Sequence, residues 1–151
     1  TKICLDEFVR NAVEEVMCLC KHSHHICVST NKLSSLMTDE KLLRNILINL
    51  LTNAVKFSPG KEEVILNVLD EGRFVTMEVS DEGMGIPENE LGMIFEPFVR
   101  GNATDAIQGT GLGLSIVKKA VDLLHGSIQV KSKPRKGSVF KVTIPRQRAF
   151  I

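Results

Sequence analysis

The centre of the chain reads Val64-Ile65-Leu66-Asn67-Val68-Leu69, then Asp70-Glu71-Gly72-Arg73, then Phe74-Val75-Thr76-Met77-Glu78-Val79. The two outer runs are apolar and rich in β-branched residues, and the four residues between them are typical of a tight turn. This stretch therefore predicts an antiparallel β-hairpin whose second strand ends just before Asp81.

Three segments outside the hairpin predict amphipathic helices, because their apolar residues recur at intervals of three and four. The first covers residues 6 to 21, with Asp6 as its N-cap, and the second begins at Asp39. The third runs from Leu114 to Leu124 and is capped by His125-Gly126. The second helix carries the longest apolar pattern.

The remaining strands are predicted at Ile26 to Ser29 and in a second hairpin, where Ser127 to Lys131 and Ser138 to Ile144 flank Pro134-Arg135-Lys136-Gly137. Most strands thus pair with a sequence neighbour in antiparallel fashion. The fold class expected is α/β: a two-layer sandwich with a mixed, mostly antiparallel sheet of five or six strands packed on three helices. A doubly wound parallel sheet is disfavoured.

The composition limits the classes of function. A chain of 151 residues with 43% hydrophobic residues is expected to form a single domain. Its 19 basic and 18 acidic side chains give a net charge of +1, which provides no electrostatic footprint for nucleic acid or a membrane surface. No apolar run approaches the roughly 20 residues that span a bilayer. We expect a cytoplasmic domain, within a parent protein that is longer and either soluble or membrane-anchored.

The four cysteines, Cys4, Cys18, Cys20 and Cys27, lie in the first fifth of the chain and are predicted to be reduced, buried thiols. The run from Cys18 to His25 also contains possible soft metal ligands. It lacks the two-pair spacing of a structural zinc site, so the end of a helix is the favoured interpretation.

Two glycine clusters follow the first hairpin: Asp81-Glu82-Gly83-Met84-Gly85-Ile86 and Gly109-Thr110-Gly111-Leu112-Gly113-Leu114. Glycine lets the backbone approach a ligand closely, so both predict a phosphate-binding loop, although each alone is a weak signal. Asn49 and Asn53 lie one turn apart on the preceding helix, with Lys56 nearby. Together these residues predict one side of a site that binds a metal ion and phosphate groups.

Five ordered motifs make the sequence similar to the ATP-binding catalytic domain of sensor histidine kinases, within the superfamily of gyrase, heat-shock chaperone and mismatch-repair ATPases. The resemblance covers nearly the whole chain and implies a Bergerat-type fold. Its motifs are the asparagine box from Asn49 to Ser58, Asp81-x-Gly83-x-Gly85-Ile86-Pro87, Ile94-Phe95-Glu96-Pro97-Phe98, the run from Gly109 to Val117, and Gly137-Ser138-x-Phe140.

The resemblance implies that this domain binds ATP and Mg²⁺. Asp81 would accept a hydrogen bond from the adenine amino group, and the amide oxygen of Asn53 would be a Mg²⁺ ligand. The nucleotide contacts that it implies come from Asn53, Lys56, Phe57, Asp81, Gly83, Gly85, Ile86, Gly109, Thr110, Gly111, Leu112, Gly113 and Leu114.

Several of these assignments keep an alternative. Lys56 either faces the phosphates or is a solvated helix lysine, and Ile86 lines the adenine pocket or packs in the core. The stretch between Phe95 and Gly109 would form a lid over the nucleotide. Phe95 and Phe98 anchor this lid against the core, contact the partner helices or simply pack in the core. Arg100 reaches the γ-phosphate or the partner domain, or is a solvated loop arginine.

The catalytic set is predicted as Asn49, Asn53, Lys56 and Arg100. The resemblance implies that the ATPases of the superfamily have a glutamate, acting as general base, at the position of Asn49. Asn49 cannot act in this way, because an amide cannot take a proton. We therefore expect slow ATP hydrolysis and transfer of the γ-phosphoryl group to an external nucleophile.

The nucleophile implied by the resemblance is a histidine on a helical dimerisation domain of the same protein, with a response regulator downstream. None of the four histidines of this chain has the sequence context of such an acceptor. An ATP-hydrolysing switch of the same superfamily and an ATP sensor that transfers nothing are the alternatives.

Overall fold

The computed structural model describes residues 2–19, 25–31, 35–56, 63–83, 85, 94, 113–133 and 136–146. Across these residues the chain forms three helices and seven strands. The elements are, in chain order, β1 (Lys2–Cys4), α1 (Leu5–Leu19), β2 (His25–Thr30), β3 (Ser35–Met37), α2 (Glu40–Lys56), β4 (Glu63–Asp70), β5 (Phe74–Asp81), α3 (Gly113–Leu123), β6 (Ser127–Lys133) and β7 (Gly137–Pro145).

Five of the strands form one mixed sheet in the order β2-β4-β5-β7-β6. Strand β2 is parallel to β4, and the other three pairs are antiparallel. Both predicted hairpins, β4–β5 and β6–β7, are confirmed. A separate two-stranded sheet pairs β1 with β3. The sequence pattern did not predict it, because each of its strands has only three residues and therefore little alternation to detect.

The sheet buries one face under the helices. Buried side chains alternate along β4, β5 and β7, and α2 packs against β5, α1 and α3. The most deeply buried side chains on α2 are Leu43, Ile46, Leu47, Leu50 and Leu51. Burying each of these stabilises the fold by about 2 kcal/mol. The predicted two-layer α/β sandwich is thus confirmed.

Two helix starts differ from one another in their capping. Asp39 stands at the predicted start of α2 and caps that helix, because its Oδ1 accepts a hydrogen bond from the Leu42 N–H at 3.1 Å. The prediction that Asp6 is an N-cap is wrong, since α1 already begins at Leu5. Asp6 lies inside the first turn, where it forms an exposed ion pair with Arg10 at 3.0 Å.

The end of α3 is a Schellman-type cap. His125 adopts the left-handed φ of 60°, and the Gly126 N–H donates to the Val121 carbonyl at 2.9 Å. Gly126 is needed here for space, because a Cβ at this position would lie 2.4 Å from the Thr143 carbonyl oxygen. The predicted cap His125-Gly126 is therefore confirmed, although it is the histidine that takes the left-handed conformation, which favours glycine.

The expectation of buried thiols is wrong for three of the four cysteines. Cys4, Cys18 and Cys27 are free but exposed. On β1 the buried position belongs to Ile3, and Cys27 lies on an edge strand, so the positions of Cys4 and Cys27 leave their thiols exposed. Cys20 lies outside the described residues.

Candidate nucleotide site

Asp81 is the last residue of β5 and lies on the helix-facing side of the sheet. It stands opposite Val64 of β4 and Ser138 of β7, and it follows Met77 and Val79 on the same face of its strand. Only 8% of Asp81 is exposed. The strand alternation therefore places a carboxylate among apolar side chains, at the end of the strand from which the first glycine cluster leaves.

The surroundings of Asp81 are unusual for a buried carboxylate. Its Oδ1 accepts a hydrogen bond from the Gly83 N–H at 2.9 Å. Burial raises the pKa of Asp81, and the N–H groups of Gly83 and Ser138 oppose that rise. Among the described residues no cation pairs with this carboxylate. It keeps acceptor capacity, because an ionised carboxylate has about four lone-pair positions.

The backbone around Asp81 requires glycine at two positions. Gly85 is buried and has a φ of 71°, in the left-handed region. Gly137, the first residue of β7, has a φ of 92°, and a Cβ there would lie 2.0 Å from the Asp81 carbonyl oxygen. The last motif of the sequence thus contacts the first glycine cluster through backbone atoms.

Asn49 and Asn53 lie one turn apart in the C-terminal half of α2, and both are half-buried. The Asn49 side-chain amide donates to the Asn45 carbonyl at 2.6 Å, which is a bond to its own helix. The Asn49 carbonyl accepts a hydrogen bond from the Thr52 hydroxyl at 3.2 Å. Because α2 packs against β5, the asparagine helix and the strand of Asp81 belong to one packed unit.

The second glycine cluster leads into α3, which begins at Gly113. Leu114, which was predicted to contact nucleotide, is half-buried against the core. Ile94, the first residue of the motif Ile94-Phe95-Glu96-Pro97-Phe98, also packs against the core. The first turn of α3 contains no acidic residue, whereas α1 and α2 both have acidic first turns. The positive end of the α3 dipole is therefore not neutralised by a carboxylate from its own first turn.

The other predicted site residues lie outside the described part of the chain. They are Phe57, Ile86, Phe95, Phe98, Arg100, Gly109, Thr110, Gly111 and Leu112. Lys56 is the last residue of α2, and its side chain is likewise not described. Their roles stay predictions.

Two serines near Asp81 were not among the predicted site residues. The Ser132 hydroxyl donates to the Gly137 carbonyl at 3.0 Å and lies 2.8 Å from the Ser138 hydroxyl. A signal for Ser132 does exist in the sequence, because it follows Ile128 and Val130 in the alternation of β6 and so takes a helix-facing position with a polar side chain.

Within the described residues, no group of three or more His, Cys, Asp or Glu side chains is arranged to hold a metal ion. Cys20, His22 and His24 of the cysteine and histidine run lie outside those residues. None of the described helices combines the length and the apolar character that crossing a membrane requires.

Comparison with known proteins agrees with this geometry. The sequence pattern of the family described as histidine kinase-, DNA gyrase B-, and HSP90-like ATPase matches residues 38–148. The chain belongs to this family. The match includes α2, the hairpin that ends at Asp81, α3 and the β6–β7 hairpin, which are the elements that form the candidate site.

Curated relatives of this ATPase-family chain are sensor kinases. The circadian input-output histidine kinase CikA of Synechococcus elongatus is 44% identical over 119 residues, and the sensor protein KdpD of Escherichia coli is 38% identical over 117. Each match covers 78% of this chain, but only 16% of CikA and 13% of KdpD. The chain thus spans a small part of the length of these relatives.

Solved structures of the family have the same fold. The mycobacterial sensor histidine kinase MprB superposes with a TM-score of 0.82 at 25% identity, over 97% of both chains. Full-length ShkA in complex with AMPPNP gives a TM-score of 0.84 at 28% identity, over 100% of this chain and 32% of that one. These likenesses confirm the sandwich predicted from the sequence.

Proposed function

We propose that residues 1–151 form the ATP-binding catalytic domain of a sensor histidine kinase. The domain binds Mg–ATP and transfers the γ-phosphoryl group to a histidine on a dimerisation domain elsewhere in the parent protein, in the cytoplasm, for onward transfer to a response regulator. The support comes from the family, from relatives named as sensor kinases, and from a structural neighbour solved with AMPPNP.

The observation that carries this proposal is the buried Asp81 carboxylate. A buried carboxylate that pairs with no cation in the described part of the chain is costly, so this one favours a ligand that donates hydrogen bonds to it. The exocyclic amino group of adenine is such a donor. The carbonyl oxygen of guanine at the same position would meet the carboxylate with like partial charge, so this site would prefer ATP over GTP.

The phosphates would lie at the start of α3, where backbone N–H groups point outward and the first turn has no carboxylate to compete. A Mg²⁺ ion fits the residues present, because it prefers oxygen ligands, keeps waters and needs few protein groups. The amide oxygen of Asn53 would hold it, and the ion supplies charge neutralisation at the phosphates. Lys56 and Arg100 are further candidates for contacts with phosphate.

The protein's part in transfer would be positioning and electrostatic stabilisation. Asn49 cannot act as a general base, and its amide already bonds to its own helix. This arrangement favours phosphoryl transfer over hydrolysis of ATP. Of the described histidines, His25 lies on edge strand β2 and His125 belongs to the cap of α3, so the acceptor is expected in another domain.

The test combines this chain, γ-labelled ATP and the separately purified dimerisation module of the parent protein. We expect label on the module that is stable in base and lost in acid, as a phosphohistidine is, and little free phosphate. Fast release of phosphate without labelled module would instead identify an ATPase. Tight ATP binding without either product would identify a sensor.

The role of Asn53 is tested in the same assay with Asn53→Ala. Loss of one of few metal-holding groups should lower Mg²⁺-dependent transfer by about 100-fold, since the loss of a group that only orients a metal ligand already costs about 10–100-fold. Asn45→Ala is the matched control, since Asn45 is an exposed asparagine two turns earlier on α2. Equal transfer by Asn53→Ala and Asn45→Ala would refute the assignment.

A further inference from the structure

A hydrogen-bonded chain of three residues lies beside Asp81, and its direction can be assigned. The Ser132 hydroxyl bonds to the Gly137 carbonyl at 3.0 Å, and a carbonyl can only accept. The single Ser132 proton is therefore used in that bond. In the 2.8 Å contact between the two hydroxyls, Ser138 must then be the donor and Ser132 the acceptor.

This direction matters because Ser138 stands directly opposite Asp81 on the same buried face. Ser138 is 7% exposed, and its strand position pairs with that of Asp81. Residues opposite each other in an antiparallel pair have Cβ atoms about 5 Å apart, which is within reach of a hydroxyl and a carboxylate. With its proton directed to Ser132, the Ser138 hydroxyl presents only lone pairs on the side of Asp81, while the Ser138 backbone N–H still donates to the carboxylate.

We propose that Ser132 is a positioning residue for nucleotide recognition: it holds the Ser138 proton away from Asp81, so that the Asp81 carboxylate keeps an acceptor position for an amino group of the base. The inference rests on the proposed function and adds to it a determinant of base specificity that lies outside the nucleotide motifs. Ser132 also fixes the Gly137 carbonyl, and Gly137 in turn contacts the backbone of Asp81 and Glu82.

Without the Ser132 hydroxyl, the Ser138 proton loses its acceptor. Asp81 is the residue opposite Ser138 on the paired strand, so its carboxylate, which already accepts from the Gly83 N–H, becomes a candidate acceptor. A hydroxyl donating to Asp81 would compete with the amino group of a bound base. Removal of Ser132 should therefore weaken a ligand that carries the amino group more than one that lacks it.

The experiment measures dissociation constants for ATP and for purine riboside triphosphate, which lacks the amino group. In the native chain we expect ATP to bind about 10-fold or more tightly, the value of one hydrogen bond to a charged group. In Ser132→Ala that ratio should fall to about 3-fold or less. Ser132→Thr retains the hydroxyl and should therefore keep the affinity ratio of the native chain. Ser127→Ala, an exposed serine on the same strand, is the matched control.

A purely structural role for Ser132 would weaken both nucleotides alike and leave their ratio unchanged, which would overturn the inference. Ser132→Cys, the variant to use if Ser132→Ala does not fold, has a side chain of similar size that is a weaker donor and a weaker acceptor, and it should give an intermediate ratio. In a Ser138→Ala background the Ser132→Ala change should leave the ratio unaltered; an additive effect would also overturn the inference. Failure of the native chain to bind ATP would reject the proposed function itself.

Discussion

Asp70 is a half-buried residue whose side chain is nearly covered, and Asp81 is a buried residue; they lie at opposite ends of the same hairpin, about 20 Å apart along the strand direction. The Asp70 side chain is 7% exposed and forms an ion pair with Arg146 at 2.5 Å. Asp81 is 8% exposed and has backbone N–H groups but no cation among the described residues. The cost of removing the carboxylate from water is thus offset by an arginine at Asp70 and by backbone N–H groups at Asp81.

The Asp70 end of the hairpin is closed by its own contacts. Arg146 also donates to the Gly72 carbonyl at 2.7 Å and to the Ser35 carbonyl, so it joins the β4–β5 turn to the end of β7 and to β3. Asn31 exchanges two hydrogen bonds of 2.9 Å with the Asp70 backbone. A carboxylate satisfied in this way stabilises the fold, whereas one left with acceptor capacity is available to a ligand.

The largest effect should come from a pair of glycines, one at each end. Gly72 and Gly137 have similar positive φ values, 85° and 92°. A Cβ on Gly72 would meet nothing within 4 Å, but one on Gly137 would lie 2.0 Å from the Asp81 carbonyl oxygen. Gly72→Ala should therefore cost only the backbone strain, about 1–2 kcal/mol. Gly137→Ala adds a backbone overlap, and should cost about 4 kcal/mol of the free energy of unfolding.

Urea unfolding measures both variants, and nucleotide titration separates the two ends further. The Gly137→Ala change should also weaken ATP binding, because it displaces the backbone of Asp81, while Gly72→Ala should leave binding unchanged. Equal stability of the two variants would contradict the close packing of β7 on the end of β5.

The next effect concerns the ion pair. Arg146→Met should lower the free energy of unfolding by about 3 kcal/mol, because the Asp70 side chain, which is 7% exposed, loses its ion pair with Arg146. Arg10→Met is the control, since Arg10 and Asp6 form an ion pair whose side chains are 63% and 61% exposed, and it should change stability by less than about 0.5 kcal/mol. ATP affinity of the folded protein should be unaltered in both, and reduced affinity in Arg146→Met would show that the two ends are coupled.

The functional counterpart is Asp81→Asn. Replacing the charged acceptor should weaken ATP binding by about 100-fold, which corresponds to about 2.7 kcal/mol and lies within the range for a hydrogen bond to a charged group. Asp70→Asn is the matched control and should leave ATP affinity within about 2-fold, because Asp70 lies at the other end of the β4–β5 hairpin. Titration calorimetry measures both. Unchanged affinity in Asp81→Asn would remove Asp81 from the site.

The two ends also differ in how far the sequence predicted them. Asp81 was identified because it heads a glycine motif, and the hairpin that carries it has a clear two-residue alternation. The role of Arg146 had no such signal, since its partners are residues 74 to 111 positions away that only the folded sheet brings together. Long-range polar contacts of this kind leave no local pattern in a single sequence.

A similar limit applies within the candidate site. The sequence placed Asn49 and Asn53 on one helix face and α3 after the second glycine cluster, because helical periodicity is local. It did not reveal that β7 lies beside β5, which is what brings Gly137 and Ser138 to Asp81. It also gave the wrong environment for Cys4, Cys18 and Cys27, because burial depends on which face of a strand or helix is covered.

The smallest effect is a pH dependence that distinguishes stability from function at Asp81. Burial raises the pKa of Asp81 in the folded protein, so the folded state favours the protonated carboxyl relative to the unfolded state. The contribution of Asp81 to stability is therefore most favourable below the ordinary aspartate pKa of about 4, and it is lost as pH rises through the raised folded pKa. The ionised group then destabilises the ligand-free fold.

Asp81→Asn, which cannot ionise, should accordingly be more stable than the native chain at neutral pH, and the difference should shrink as pH falls toward 4. Urea unfolding of both proteins across this range, without nucleotide, tests the sign. Saturating ATP should reverse the order at neutral pH, because a ligand stabilises the state that binds it more tightly. A native chain that is the more stable of the two without nucleotide would mean that Asp81, like Asp70, serves the fold first.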